Sequence, residues 1–305
     1  MQQPSSVHSL MLRSGSISTT SFTLEISPQP TIQGQLHLKL QHPLSSLSQS
    51  EVISVWNKVK DLVSRINAGA DTKIRYGVGT DEGTSIHIYP LITSSQTWHP
   101  IRAAEKPFND RYPGYLTTNS GPPATAESLL ALQTRITRVS HWTSPSFAFQ
   151  DPHDENLFAR LVRGEIPQWR VWETDHHIAF LTPFPNLPGL TVVIPRRHLS
   201  SDILSLGDEE FTALVEAACT VSRVLKTALG VQRVGMFMEG FEIDYAHVKL
   251  LPVPMERDTT KGFDTVGAFH REYQGYLTTQ MGPMKNIEEL EIPSHLGILL
   301  SEAQM

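Results

Sequence analysis

The stretches YPGYLTTNSGP (residues 112–122) and YQGYLTTQMGP (residues 273–283) are near copies of each other within one chain of 305 residues. Each copy follows a segment that carries an internal histidine, with His87 before the first copy and His247 before the second. Ordered agreement of this kind indicates an internal repeat. An internal repeat defines the overall architecture, within which local motifs are then interpreted.

Two further blocks extend the repeat. GQLHLKLQHPLSS in the first half matches GLTVVIPRRHLSS in the second, and each is followed by apolar residues at three- and four-residue steps. This period predicts a helix with one packed face in each half. The spacing of Ser48 with Glu51, and of Ser205 with Asp208, predicts capping boxes where these helices begin.

The repeat predicts two homologous α+β halves, residues 1–148 and residues 149–305, which associate as a pseudo-dimer within the chain. The segment SHWTSPSFAFQDPHDE, residues 140–155, is the predicted connector because it lacks periodicity and contains turn-forming residues.

Composition and charge limit the function classes. A hydrophobic content of 39% is enough for a core, and a single cysteine excludes an internal disulfide and a zinc site built from cysteine pairs. The net charge of -6 argues against a broad basic surface for nucleic acid. The sequence shows neither a signal-peptide core nor a long apolar run, so we expect a cytoplasmic protein without membrane partners. The adjacent histidines of DHH, residues 175–177, would point to opposite faces of a strand, so no metal site is predicted.

The segment YAHVKLLP, residues 245–252, is predicted to be a β-strand with two unlike faces. Side chains alternate along a strand, so Tyr245, His247 and Lys249 share a polar face while the intervening apolar residues pack inward. His87 holds a similar place in SIHIYP of the first half. Because imidazole titrates near pH 6.5, an unprotonated ring nitrogen is available at neutral pH.

From Asn156 to about Pro254 the sequence resembles a histidine triad (HIT) domain. NLFARLVRGEIP, then HHIAFLTPFPNLPGLTVVIPRRHLSSDILSL, the long helix and YAHVKLLP stand in the family's order. The resemblance implies an antiparallel sheet with helices in each half, the first half being degenerate. It also implies a cofactor-independent nucleotidyl hydrolase or transferase that acts on a nucleoside phosphate or a dinucleoside polyphosphate. Two such halves in one chain resemble nucleotidylyltransferases and dinucleoside tetraphosphate phosphorylases.

The resemblance also implies roles for individual residues. His247 takes the place of the family's central histidine, the nucleophile that attacks an α-phosphate to give a covalent nucleotidyl-histidine. Tyr245 and Lys249 replace the flanking histidines, so Tyr245 is predicted to orient or protonate and Lys249 to steady phosphate charge. Thr182 stands where many members have an aspartate that grips the ribose hydroxyls. The loop MEGFEID lacks the family's Gly-Gln-Ser/Thr segment, which contacts the phosphate.

Candidates for the entrance of the site directly follow the IP dipeptide of the second half: Arg196, Arg197 and His198. The arginines would draw in an anionic substrate, or they are merely solvated. His198 either lines the site or caps the following turn.

Four further candidates belong to the neighbouring loops. Glu239 and Asp244 flank the loop before the motif strand, where a carboxylate holds a hydroxyl, activates water or pairs with a lysine. Tyr273 and Tyr276 belong to the second copy of the repeated block. That block either folds over the site as a lid or serves as a packing loop of the pseudo-dimer.

Two other functions fit the same residues. The first is a protein that binds a small molecule, in particular a nucleotide, without catalysis, since the flanking histidines are absent. The second is a scaffold recruited for chemistry on a non-nucleotide substrate, with Tyr245, His247 and Lys249 as an acid–base set. Whole chains are also expected to be able to form a homodimer.

Overall fold

A computed structural model of the chain describes residues 11–17, 20–68, 73–93, 97–148, 151–258 and 266–286. The described strands are β1 Met11–Ile17, β2 Thr20–Ile26, β3 Leu36–Leu40, β4 Tyr76–Thr80, β5 Ser85–Pro90, β6 Trp169–Glu173, β7 His177–Leu181, β8 Thr191–Pro195, β9 Val234–Met238 and β10 Val248–Pro252. The helices are α1 Gln49–Ala68, α2 Ala126–Ser140, α3 Leu157–Val162 and α4 Asp208–Leu229. None of these helices is long and apolar enough to cross a bilayer.

All ten strands form one sheet in the order β1-β2-β3-β5-β4-β9-β10-β8-β7-β6, and every pair is antiparallel. The predicted mixed α+β class is therefore confirmed. β4 and β9 meet at the centre, where Gly79 pairs with Phe237. A Cβ at Gly79 would lie 2.3 Å from the Phe237 ring, so only glycine lets the strands of the two halves approach here.

Helices α1 and α4 lie on one face of the sheet and bury their predicted apolar stripes there. The capping box of α1 forms, since the Glu51 carboxylate accepts hydrogen bonds from Ser48 N at 2.9 Å and Ser48 Oγ at 2.7 Å. The capping box predicted for α4 is wrong. Ser205 ends a short 3₁₀ turn, and α4 begins after Gly207 without a side-chain cap.

The pairing register corrects the match between the two histidine segments. β5 and β10 end in Pro90 and Pro252, each of which pairs with the first residue of the adjoining inner strand. Counting back from these prolines, His87 corresponds to Lys249 and not to His247. The error is a shift of two residues, and such a shift keeps every side chain on the same face.

Helix α2 crosses from the first half of the sequence onto the second half of the sheet. Gln133 Nε2 donates to the carbonyl of Arg170 at 2.8 Å, and Ser140 Oγ donates to the carbonyl of Val171 at 2.7 Å. These contacts fix α2 against β6. Residues 149 and 150 lie outside the described residues, and the division of the chain at that point stays a prediction.

Candidate active site

A cavity of about 350 Å³ opens on the sheet face opposite α1 and α4, and residues of both halves line it. Three predicted site residues, Thr182, His247 and Lys249, form part of its wall. Much of the remaining wall is apolar and comes from α3, β7 and β8. The structure thus brings together the core of the predicted site, but not all of it.

His247 is held in a single orientation just before β10, which begins at Val248 and not at residue 245 as predicted. Its ring is 2% exposed, and Nδ1 lies 2.7 Å from the carbonyl oxygen of Tyr245. A carbonyl only accepts, so Nδ1 carries the hydrogen and Nε2 carries the lone pair. Within the described ranges Nε2 has no hydrogen-bond partner. Burial and the charge of Lys249 lower the pKa of His247 to about 4, so the ring is neutral at physiological pH.

The ammonium of Lys249 is fully occupied within the protein. Nζ lies 3.3 Å from a Glu239 oxygen, 3.0 Å from a Glu242 oxygen and 3.1 Å from the Thr118 carbonyl. Burial lowers the pKa of Lys249, but the two carboxylates outweigh burial and raise it above its usual value. An ammonium has three hydrogens, and all three have acceptors here. The ammonium therefore has no free hydrogen for a phosphate oxygen, and the steadying of phosphate charge by Lys249 stays a prediction.

Glu242 is a site residue that the sequence reasoning missed. Its carboxylate lines the cavity and accepts from Lys249 and from Ser120 Oγ at 3.1 Å. Burial raises the pKa of Glu242, but Lys249 and the hydrogen bonds outweigh burial and bring it to about 2. The cavity wall beside His247 therefore bears a negative charge. The available signal was an acidic residue within the MEGFEID loop.

Tyr245 does not line the cavity, which corrects its predicted role. The residue is fully buried, and its hydroxyl lies 2.9 Å from the Pro195 carbonyl and 3.1 Å from the Arg196 carbonyl. Its ring packs against Phe158 and stacks on His198. A hydroxyl aimed at the end of β8 is positioned for packing and not for donating a proton to a ligand beside His247.

Arg196 and Arg197 lie on a separate groove of about 740 Å³, not at the entrance of the His247 cavity. Arg196 donates to the carbonyls of Thr174 at 2.8 Å and Ser146 at 2.9 Å, while Arg197 pairs with a glutamate of α4. The predicted place at the entrance of the His247 cavity is therefore wrong for both arginines. The alternative, a solvated side chain, fits Arg197, whose side chain is 55% exposed.

Two further cations line the cavity besides Lys249: Arg102 and Lys106, which are exposed residues of the first half. In the described part of the chain neither pairs with a carboxylate. No sequence motif marked them as site residues.

His198 and Asp244 brace the loop before β10. The ring nitrogens of His198 lie 2.7 Å from an Asp154 carboxylate oxygen and 2.8 Å from the Asp244 carbonyl. The side chain of Asp244 accepts from Ser201 Oγ. Of the roles considered for the loop carboxylates, pairing with Lys249 holds for Glu239, whereas Asp244 and His198 do not line the cavity.

The two copies of the repeated block pair with each other and exchange sides. Thr118 N donates to the Leu277 carbonyl, and Thr279 N donates to the Leu116 carbonyl, both at 2.9 Å. As a result the first-half block, residues 112–122, reaches the His247 cavity and contributes Thr118, Asn119, Ser120 and Gly121 to its wall.

The second-half block lies mainly over the first half. Tyr276 lines a small cavity there, so its assignment to the His247 site is wrong. The hydroxyl of Tyr273 donates to the Glu239 carboxylate, which in turn accepts from Lys249. Tyr273 therefore supports the charged cluster without reaching the cavity.

A small cavity beside Tyr89 in the first half measures about 20 Å³, and His87 does not line it. A buried polar cluster occupies the sheet face there, with His37 Nε2 2.6 Å and Gln35 Nε2 3.2 Å from Nδ1 of His87. Burial lowers the pKa of His87 well below its usual value. The degeneracy of this half stays a prediction. Among the described residues, no cluster of histidine, cysteine and carboxylate side chains is arranged to hold a metal ion.

Known proteins are similar mainly to the part of the chain that carries this site. The HIT domain family matches residues 163–252. An uncharacterised HIT-like protein of Mycoplasma genitalium is 31% identical over 112 residues, which cover 35% of this chain and 77% of the relative. The adenosine 5′-monophosphoramidase of Saccharomyces cerevisiae is 27% identical over 129 residues, covering 38% of this chain and 78% of the relative. A solved uridylyltransferase structure aligns with 92% of this chain and 75% of its own length, with 14% identity and a TM-score of 0.42.

Proposed function

Because the chain belongs to the HIT family, we propose that it is a nucleotidyl hydrolase or transferase whose nucleophile is His247. Its substrate is a nucleoside phosphate or a dinucleoside polyphosphate. The similarity to an adenosine 5′-monophosphoramidase supports a nucleotide as the ligand. We also infer that the two halves are a pseudo-dimer produced by duplication, with one working site. Association of whole chains stays a prediction.

One observation carries this proposal. The imidazole of His247 is neutral, its Nδ1–H is fixed by the Tyr245 carbonyl, and Nε2 is unpartnered at a cavity wall. His198, in contrast, has both ring nitrogens engaged in contacts with its neighbours. A fixed tautomer with a free lone pair is the state that nucleophilic attack requires.

The proposed reaction has two successive displacements at phosphorus. Nε2 attacks the α-phosphorus and forms a P–N bond, while the bond from phosphorus to the leaving group breaks and its electron pair leaves with that group. The leaving group takes up a proton from solvent. Water or another acceptor then forms a bond to phosphorus and loses its proton to solvent, while the P–N bond breaks and its electron pair returns to Nε2, which restores the neutral imidazole. Arg102 and Lys106 provide positive charge at the edge of the cavity.

Binding without reaction is a second candidate, and the charged cluster favours it. Lys249 has no free hydrogen for a phosphate oxygen, and the Glu242 carboxylate faces the cavity. Negative charge beside the reacting phosphate raises the energy of the transition state. A protein with these side chains would retain an apolar pocket for a nucleoside and react slowly or not at all.

The third candidate, acid–base chemistry on a non-nucleotide substrate, loses one of its groups. It needs Tyr245, His247 and Lys249 at one cavity, and Tyr245 is directed away from it. We therefore rank this candidate last.

The test is to trap the covalent intermediate. The protein is incubated with adenosine 5′-monophosphoramidate or with diadenosine tetraphosphate, quenched, and analysed by intact mass spectrometry for an adenylyl adduct. We expect an adduct that maps to His247 and is absent in His247→Asn. His87→Asn is the matched control, because His87 is buried in the first half beside His37. This variant should still form the adduct.

The outcomes separate the candidates. Tight AMP binding with no adduct from either compound would support binding without reaction. Turnover that persists in His247→Asn would refute the nucleophile. Failure to bind any nucleotide would leave only the third candidate.

A further inference from the structure

Asn119 is a buried amide whose hydrogen-bonding groups are not satisfied within the protein. The residue is 6% exposed and lines the His247 cavity. Its Oδ1 is buried without a partner, and Nδ2 donates to no acceptor in the described parts of the chain. Unpaired buried polar groups are rare in folded proteins because each is desolvated without a compensating hydrogen bond. With no acceptor in the described parts of the protein, Nδ2 stays available to donate to a ligand in the cavity.

The backbone that carries Asn119 is held in place from the second half. Asn186 Nδ2 donates to the carbonyls of Thr117 and Asn119, both at 2.6 Å. On the other side, Lys249 donates to the Thr118 carbonyl and Ser120 donates to Glu242. These contacts orient the amide before any ligand binds, which is the preorganisation that a binding group needs.

The charges of the cavity determine which donors a phosphate can use. The ammonium of Lys249 is taken up by two carboxylates, and Glu242 adds negative charge to the wall. Near these carboxylates, a neutral amide can still donate to a phosphate oxygen. Asn119 is such a neutral donor, and the first half supplies it.

We propose that Asn119 is a substrate-binding residue that donates a hydrogen bond from Nδ2 to a phosphate oxygen of the nucleotide. The inference rests on the proposed nucleotide substrate and extends it, because it makes the first half part of the His247 site. In this arrangement the first half recognises the phosphate bound by the other half.

The repeat provides a matched control. Gln280 occupies the position of Asn119 in the second copy of the block, and its backbone makes the same local contact: Gln280 N donates to Thr278 Oγ1 as Asn119 N donates to Thr117 Oγ1. It does not line the His247 cavity. A substitution there perturbs the same kind of block without touching the proposed phosphate contact.

The experiment compares affinities for AMP and for adenosine by calorimetry in the full chain. Asn119→Leu keeps the volume and removes the donor, Asn119→Asp also adds a charge, and Gln280→Leu is the control. We expect Asn119→Leu to weaken AMP about tenfold and Asn119→Asp to weaken it further, while adenosine affinity is unchanged. Gln280→Leu should change neither. If turnover is observed, Asn119→Leu should lower kcat/KM by about 100-fold.

Equal weakening of AMP and adenosine would mean a packing role and would overturn the inference, as would an unchanged AMP affinity or a wild-type chain that binds no AMP. Thermal unfolding of each variant identifies a general loss of fold. If thermal unfolding shows that Asn119→Leu has lost the fold, the inference is tested with Asn119→Asp alone, because aspartate keeps the size and polarity of the side chain. Asn119-dependent AMP binding without a His247 adduct would refute the nucleophile while leaving this inference standing.

Discussion

Replacing Tyr245 by phenylalanine removes one hydroxyl and leaves the ring in its packing site. The lost proton is shared between the carbonyls of Pro195 and Arg196, at 2.9 Å and 3.1 Å. One neutral hydrogen bond contributes about 1 kcal/mol, and leaving buried carbonyls unpaired raises the cost to as much as about 3 kcal/mol. We expect Tyr245→Phe to lower the free energy of unfolding within this range and to leave the rate of adduct formation unchanged.

The assay combines urea denaturation with the rate of adenylyl-adduct formation. Tyr89→Phe is the control, because Tyr89 is equally buried and donates to the Thr278 carbonyl at 2.6 Å in the first half. Both variants should lose similar stability. General acid catalysis contributes about 10²–10⁴-fold to a rate. A loss of that size in Tyr245→Phe, with unfolding energy intact and Tyr89→Phe unaffected, would refute the packing role.

Three further predictions concern charge. The pKa of His247 is lowered to about 4, so the rate of adduct formation should fall as the pH is lowered, with a midpoint near pH 4. The rate is measured in short pulses while circular dichroism shows the fold intact. A midpoint near pH 6.5 would contradict the burial of the ring. Burial lowers the pKa values of His37 and His177 to about 4, so the unfolded chain binds more protons between pH 6.5 and 4. The free energy of unfolding, measured by urea titration, should therefore fall as the pH falls, by about 2 kcal/mol per histidine at pH 5. In His37→Gln this loss should be smaller, and an unchanged loss would contradict the assignment. Glu242→Gln removes the carboxylate from the cavity wall and should tighten AMP binding about tenfold in calorimetry, whereas weaker binding would show that the carboxylate contacts the ligand favourably.

The sequence predicted the fold class and the faces of the motif strand. Alternation in YAHVKLLP placed Val248 and Leu250 in the core, and both are fully buried. Alternation did not reveal the register between the halves. A shift of two residues preserves each face, so only the strand pairing shows that His87 corresponds to Lys249.

The missed site residues lie on loops, where no period exists to be read. Ser120 and Glu242 are 122 residues apart and meet only because the repeated blocks exchange sides. The predicted place of Arg196 at the site entrance was wrong for a related reason. Arg196 is satisfied by carbonyls of the connector and of the turn before β7, contacts that depend on the tertiary path of the chain.

The exchange of blocks has a consequence for how such a chain can evolve. After a duplication, one copy is ordinarily free to drift or to separate into its own gene. Here a fragment that ends with the first half would expose β4 at the edge of its sheet, and the other fragment would lose the loop that lines its cavity. On the proposed duplication, the first half can lose its own chemistry but cannot be deleted, and substitutions in its loop should first affect the cavity of the second half.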